Sequence, residues 1–317
     1  MSFAGKSFLS VENLNRKQVN LLFSCAKAFK EEFRKKGSFF HLICCRREKQ
    51  GLVAMVFLEP STRTRLSFQT AAYRVGLESY VFDSARSSSM EKGESQVNTL
   101  KNIAAMLPDV MVVRYGFYPE VDKALLGISC PIINAGNGII EHPTQALLDA
   151  FTIQNSLGTL EGKKVLIVGD VAYSRVANSN LKLLSILGAE VAICGPEAMF
   201  PQTEIWAQVR KFTELKEAVS WCDVLMGLRI QTERHGEKSK AYALAEYRDN
   251  YQVKKEHLKL LGEEGLLMHP GPVIHGVEFS PQVLQSPQSM VLEQVTNGVF
   301  VRAALFTMVL GMEVEVA

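Results

Sequence analysis

The stretch Leu52 to Gly76, LVAMVFLEPSTRTRLSFQTAAYRVG, joins an unbroken apolar run to a helical pattern through a turn crowded with hydroxyls and guanidiniums. The run Leu52 to Leu58 shows no polar alternation, the mark of a strand buried on both faces of a parallel sheet. Beyond the turn, Leu66, Ala71, Ala72 and Val75 recur at helical spacing, and Gly76 suits a helix stop. A strand that feeds a helix N-terminus leaves backbone N–H groups there, and the helix dipole favours an anion at that point. Two readings of the turn stand side by side. In one, Ser61 and Thr62 cap the helix while Arg63 and Arg65 are solvated. In the other, Ser61, Thr62, Arg63 and Thr64, with Arg65 as a further charge, cradle a phosphate or carboxylate. Such an anion would offset two arginines that are electrostatically misplaced at a helix start.

Around this stretch, 317 residues are enough for two domains with substantial cores. A hydrophobic content of 47%, a charged content of 21% and a net charge of +2 suit a soluble globular protein and give no support to nucleic-acid or membrane binding. No apolar run approaches the ~20 residues of a membrane span, and no secretory leader is evident, so the expected compartment is the cytoplasm. The six cysteines form no CxxC pair and no metal-ligand spacing with histidine. Most read as small buried hydrophobes in a reducing compartment, and no catalytic thiol is expected. Neither a metal nor a cofactor is expected.

The remaining chain alternates strand and helix. Asn15 to Gln18 resembles a capping box, and Val19, Leu22, Phe23, Ala26 and Phe29 share one helical face. Glu78 to Asp83 reads as a short strand and SARSSSMEKGES, 84–95, as a polar flexible exit. Thr99 to Leu107 has a helical pattern. Asp109 to Arg114 reads as a strand with its charged end outward, and Pro131 to Gly136 as another. A helix begins at His142 and Pro143. The loop Asn155 to Gly162 suits a boundary, since a fresh alternation starts at Lys163: strand Val165–Val168, helix from about Arg175 to Leu187, strand Glu190–Ile193. Later strands fall at Cys222–Gly227 and Leu266–Met268. An apolar helix from about Met290 to Leu310 suits packing back on the body.

The expected fold is therefore α/β, with two domains that each carry a mainly parallel sheet covered by helices. Residues 1–149 form the first domain, joined by the C-terminal helix at about 291–317, and residues 150–290 form the second. In such folds ligands sit beyond the carboxyl ends of the strands. Gly169 to Arg175 offers one glycine where a dinucleotide fingerprint needs three, so Arg175 suits a carboxylate there better than the loop suits a cofactor. Arg229, Arg114 and Lys92 taken singly are ordinary surface charges, His142 a residue of a helix cap and His269 a structural histidine. Their common place at strand exits or in a flexible loop sets them apart.

The segments STRTR at 61–65, HPTQ at 142–145, LRIQ at 228–231 and HPGP at 269–272, in that order, resemble the aspartate carbamoyltransferase catalytic chains of the carbamoyltransferase family. The resemblance covers nearly the whole chain. The ornithine-using branch is expected to carry HCLP where this chain has His269 to Pro272. The resemblance implies transfer of a carbamoyl group from carbamoyl phosphate to the α-amine of L-aspartate, in pyrimidine synthesis, at a site in the interdomain cleft. A carbamoyltransferase for another amine, or a catalytically silent scaffold subunit, is the alternative.

By that resemblance, Ser61, Thr62, Arg63 and Thr64 hold the phosphate, and Arg114, His142 and Gln145 complete the carbamoyl phosphate site. Thr64, Arg114 and His142 point donors at the carbonyl oxygen, while the carbonyls of Gly271 and Pro272 orient the amine or the carbamoyl nitrogen. Lys92, Arg175, Arg229 and Gln231 meet the aspartate. The 84–95 loop reaches a neighbouring subunit of a homotrimer with shared active sites, bringing Lys92 and, by ungapped counting among Ser87, Ser88 and Ser89, Ser88. Glu59 pairs with Arg175 and Arg234 on domain closure. A regulatory or dihydroorotase chain is a further partner that the resemblance allows. The chain departs from many family members at His275, which replaces a more basic position, and at Glu91, where some relatives have lysine.

Overall fold

The computed structural model describes residues 3–43, 51–83, 93–230 and 237–315. The chain divides into two compact units, Met1–Leu148 with Val295–Ala317, and Asp149–Gln294.

The first unit opens with α1 (Arg16–Lys36). Asn15 and Gln18 cap it reciprocally, each side chain accepting from the other's backbone N–H at 3.0 Å, and Val19, Leu22, Phe23, Ala26 and Phe29 are its buried stripe. Then follow β1 (Leu52–Phe57), α2 (Thr62–Arg74), β2 (Glu78–Asp83), α3 (Gln96–Ala104), β3 (Val110–Tyr115), α4 (Pro119–Leu125), β4 (Ile132–Asn137) and the start of α5 (Pro143–Leu157). The four strands lie parallel in the order β2-β1-β3-β4. β1 is central, which is why every residue from Val53 to Phe57 is buried.

In the second unit, β5 (Lys164–Val168), α6 (Arg175–Ile186), β6 (Glu190–Cys194), β7 (Arg210–Phe212), α7 (Leu215–Trp221), β8 (Val224–Gly227), α8 (Glu237–Tyr251), α9 (Lys255–Leu261), β9 (Leu266–Met268) and α10 (Pro281–Leu284) build a five-stranded parallel sheet in the order β7-β6-β5-β8-β9. Leu166, Val168, Leu225, Leu267 and Phe279 share one core cluster, and Ile167, Ala177, Ile193 and Trp206 another. The chain returns to the first unit along α11 (Val291–Leu310), whose Phe306 meets Phe68 of α2 edge to face at 5.8 Å.

Several elements differ from the sequence reading, each for a local reason. The buried stripe of α2 is Thr64, Phe68, Ala71 and Ala72, with Val75 beyond it, and Leu66 is exposed. Leu66 lies two residues from Thr64, about 200° around the helix, so the stripe that buries Thr64 turns Leu66 to solvent. α3 starts at Gln96 because Ser95 caps it, accepting from the Asn98 N–H at 3.2 Å. It ends at Ala104, and Leu107 leaves the helix at φ 58 ahead of Pro108, which disfavours helical geometry in the preceding residue. α5 runs through Asn155 to Leu157, where a loop is expected from composition, and the left-handed Gly158 stops it. β7, α4, α7, α8 and α9 have no counterpart in the sequence reading. They are three to fifteen residues long, and the shorter ones hold too few periods to stand out.

Cys25, Cys194 and Cys222 are buried in the core, and burial pushes each thiol up to about 12. Cys44 and Cys45 lie outside the described residues.

Gly169 closes β5 with φ +131, and a Cβ there would sit 2.7 Å from the carbonyl oxygen of Leu228. Glycine is thus required for close approach between two strand exits, one of which carries Arg229. Gly169→Ala is expected to lower the unfolding free energy by about 1–3 kcal/mol. Urea unfolding of the variant beside the parent checks this, and an unchanged midpoint refutes it.

Candidate active site

Parallel strands send all their exits to one edge of the sheet, and the described candidate residues of each unit lie at or just beyond those exits. In the first unit β1 leads into Glu59 and the start of α2, β3 ends at Arg114 and Tyr115, and β4 leads through a turn to His142. Phe57 pairs in register with Arg114, and the Leu58 N–H donates to the Arg114 carbonyl at 2.8 Å. Thr64 Oγ1 lies 3.4 Å from His142 Nε2, so STRTR and HPTQ meet directly.

Ser61 stands at the N-cap of α2 in extended geometry, and its side chain makes no capping hydrogen bond. The structure therefore does not use Ser61 as the capping reading supposes. Arg65 Nη1 donates to Asp83 Oδ2 of the neighbouring strand exit at 2.7 Å, so its charge is answered within the fold. Arg63 and Thr62 are exposed at the helix start. Arg114 does not face outward as its strand position suggests: only 12% of its side chain is exposed, and Nε lies 3.8 Å from Glu59 Oε2. Glu59 thus has an arginine neighbour inside its own unit.

The HPTQ turn is held from three sides. Asn137 accepts the Glu141 N–H at 2.9 Å. Glu141 itself is buried and accepts from Ser10 Oγ at 2.8 Å and from the Val11 N–H at 3.2 Å. The His142 carbonyl then accepts from Gln145 and Ala146, starting α5. His142 and Gln145 are both buried. Arg302 of α11 supplies the third tie, donating through Nη1 to Ser67 Oγ at 2.7 Å and through Nη2 to Thr144 Oγ1 at 3.3 Å, with its guanidinium over the Phe68 ring. It joins the second turn of α2 to the first turn of α5. Its one signal in the sequence is a lone arginine inside the apolar run VFVRAALF.

In the second unit β5, β8 and β9 are neighbours in the sheet, so the loops after them, carrying Arg175, Arg229 and HPGP, emerge side by side. Ser174 caps α6, accepting from the Ala177 N–H at 3.1 Å, which sets Arg175 at the first helical position. Arg229 and Arg175 are half-buried. His269 is buried, its Nδ1 accepts the Gly271 N–H at 2.9 Å, and its ring meets Phe279 edge to face. Gly271 is half-buried and Pro272 exposed.

Glu278 has no place in any motif. It is 1% exposed, accepts the Ile230 N–H at 3.1 Å and the Ile274 N–H at 2.7 Å, and so ties the Arg229 loop to the chain after HPGP. Burial raises its pKa, while those backbone donors and the charge of Arg229 oppose the rise. Lys92, Ser88 with its neighbours Ser87 and Ser89, Glu91, Gln231 and Arg234 lie outside the described residues. Among the described residues, no group of three or more His, Cys, Asp or Glu side chains is placed to hold a metal ion, and no helix is long and apolar enough to cross a membrane.

Chemically, the first unit gathers hydroxyls, an imidazole and guanidiniums at a helix N-terminus, a set suited to a phosphate with an adjoining carbonyl. The second sets two arginines near an ordered carbonyl-rich turn, which suits a dicarboxylate bearing an amine.

Comparison with known proteins gives these sets a family. Residues 6–155 match the model described as aspartate/ornithine carbamoyltransferase, carbamoyl-P binding domain, and residues 161–309 match the Asp/Orn binding domain of the same proteins. The aspartate carbamoyltransferase catalytic subunit of Desulfitobacterium hafniense is 40% identical over 98% of this chain and 97% of its own length. That of Syntrophotalea carbinolica is 41% identical over 99% and 98%. Among solved structures, aspartate transcarbamoylase from Trypanosoma cruzi in complex with carbamoyl aspartate and phosphate superposes with a TM-score of 0.86 at 29% identity, covering 98% of this chain and 97% of its own. The catalytic subunit of the M. jannaschii enzyme superposes with a TM-score of 0.82 at 29% identity, covering 96% and 98%. With both domain models matched and relatives at this identity along its whole length, the chain belongs to the aspartate/ornithine carbamoyltransferase family, among the aspartate carbamoyltransferase catalytic subunits.

Proposed function

We propose that the chain transfers the carbamoyl group of carbamoyl phosphate to the α-amine of L-aspartate, in the cytoplasm, as a step of pyrimidine synthesis. The observation that carries the proposal is the meeting of Thr64 with His142 at 3.4 Å beside the strand exit that bears Arg114. The first unit binds carbamoyl phosphate. Ser61, Thr62, Arg63 and Thr64, with the α2 N-terminus, hold the phosphate, and Gln145 holds the carbamoyl end. The second unit binds aspartate, with Arg175 and Arg229 for its two carboxylates and Gln231 beside them.

The amine lone pair attacks the carbonyl carbon, and negative charge develops on the carbonyl oxygen. Donors from Thr64, Arg114 and His142 stabilise that charge because they are held in place before it appears. His142 acts as a donor rather than a nucleophile. The C–O bond to phosphate then breaks, the phosphate leaves with its electron pair, and the attacking nitrogen gives its extra proton to the departing phosphate or to water. The carbonyls of Gly271 and Pro272 orient the nitrogen. Phosphate release from carbamoyl phosphate with L-aspartate tests the proposal, and turnover with L-ornithine in place of L-aspartate overturns it.

Lys92 and Ser88 act in a neighbouring copy of a homotrimer. The first unit leaves Leu66 and Tyr73 of α2, and Phe117, Tyr118, Ile139 and Ile140 near the β3 and β4 exits, in solvent. Such apolar surface supports association with further copies. An inactive Lys92→Ala chain reassembled with an inactive Arg63→Ala chain is expected to regain activity, since some mixed sites contain both native residues. Verified mixed trimers without activity count against sharing.

A further inference from the structure

Within the second unit a chain of hydrogen bonds runs to the HPGP turn from a side chain that belongs to no motif. Asp149, on the part of α5 assigned to this unit, is 0% exposed. Its Oδ1 accepts from Gln294 Nε2 at 2.7 Å and its Oδ2 accepts from Asn180 Nδ2 at 2.9 Å. Gln294 Oε1 in turn accepts the backbone N–H of His269 at 2.9 Å, and His269 Nδ1 accepts that of Gly271, also at 2.9 Å. Asn180, Gln294 and His269 are all buried.

Every link has a direction. In these bonds the carboxyl oxygens accept, so both amides must present their NH₂ groups to Asp149. That orientation turns the Gln294 oxygen towards His269 and makes it the acceptor for the first residue of HPGP. The Gly271 N–H on Nδ1 leaves the proton of a neutral imidazole on Nε2, which fixes the tautomer. Burying a carboxyl group costs several kcal/mol, and an apolar side chain would fill the same space without that cost. What the carboxyl supplies beyond packing is the order of donors and acceptors that ends on Gly271.

We propose that Asp149 and Gln294 are positioning residues for carbamoyl transfer: they hold the HPGP turn so that the carbonyl oxygens of Gly271 and Pro272 meet the reacting nitrogen. This rests on the reading of the chain as an aspartate-type carbamoyltransferase. Asp149→Asn places an NH₂ group against an NH₂ group, and Gln294→Glu places a carboxylate against a carboxyl group. The double variant Asp149→Asn/Gln294→Glu restores complementarity: the introduced amide donates to the introduced carboxylate, which still accepts the His269 N–H.

The test measures steady-state phosphate release, together with hydrogen exchange of the His269 and Gly271 amides, in the full-length protein and these three variants. Each single variant is expected to lose roughly 10- to 100-fold in kcat, as a slightly misplaced reacting group does, with KM for carbamoyl phosphate within about twofold of the parent. Both amides should exchange faster in the single variants. The double variant should recover most of the kcat and the slow exchange, which a residue serving only as packing would not produce. Single variants with parental kcat and exchange overturn the proposal, as does a folded double variant that recovers neither. Where a single variant fails to fold, the double variant decides: recovery supports the chain, and failure refutes it. A parent protein without turnover overturns the functional reading instead, and the exchange measurements then still judge the hydrogen-bond chain.

Discussion

Arg63→Ala is expected to abolish useful turnover. Arg63 lies exposed on the first turn of α2, where the helix dipole opposes a cation by about 0.3–1 kcal/mol. A guanidinium on a phosphate is a charge-assisted contact, and losing it together with leaving-group stabilisation should cut kcat/KM for carbamoyl phosphate by roughly 10²- to 10³-fold or more. Initial-rate measurements decide the matter, and near-parental turnover refutes the cradle.

Arg229→Ala is the second large effect. The lost guanidinium should raise KM for L-aspartate by roughly 100-fold, the value of a charge-assisted pair, and leave binding of carbamoyl phosphate unchanged. It also removes a cation near the buried Glu278. The carboxyl group of Glu278 is raised above its ordinary value of 4.5, chiefly by burial, so the folded protein binds this proton more tightly than the unfolded one. Its contribution to stability is then greatest below that value and declines as the pH rises from it towards the folded pKa. Without Arg229 the pKa rises further and the decline deepens. The melting-temperature gap between parent and Arg229→Ala should therefore be wider at pH 7 than at pH 4. A parental KM for aspartate, or a gap that narrows with rising pH, contradicts this account.

Much of the fold is legible in the sequence because its signals are short-range. The apolar run at Leu52–Leu58, the capping box at Asn15–Gln18 and the strand and helix patterns from Val165 to Ile193 each state their structure within a few residues. The face of α2 is not, because Leu66 is a large hydrophobe at helical spacing, yet the stripe through Thr64 and Phe68 fits the sheet, and only packing could choose between them. The orientation of Arg114 is hidden in the same way. A charge at a strand end looks solvated until the neighbouring loop covers it.

The purpose of the supporting residues is not legible. Arg302, Glu278, Asp149 and Gln294 lie far in sequence from the loops they hold, with Arg302 separated from Ser67 by 235 residues and Gln294 from Asp149 by 145. A buried polar side chain declares its purpose only through its partner, and nothing local in the chain names that partner.

By itself, then, the sequence determined the α/β alternation, the identity of the chemical groups and their order along the chain. These follow from local periodicity and from motifs whose residues are contiguous. Tertiary structure decided which groups become neighbours and which charges are already answered. It set Thr64 against His142, gave Arg65 to Asp83, and hung the HPGP turn on Asp149 through Gln294. The physical reason is that parallel strands deliver distant loops to one edge, where a contact depends on strand order and register rather than on separation along the chain.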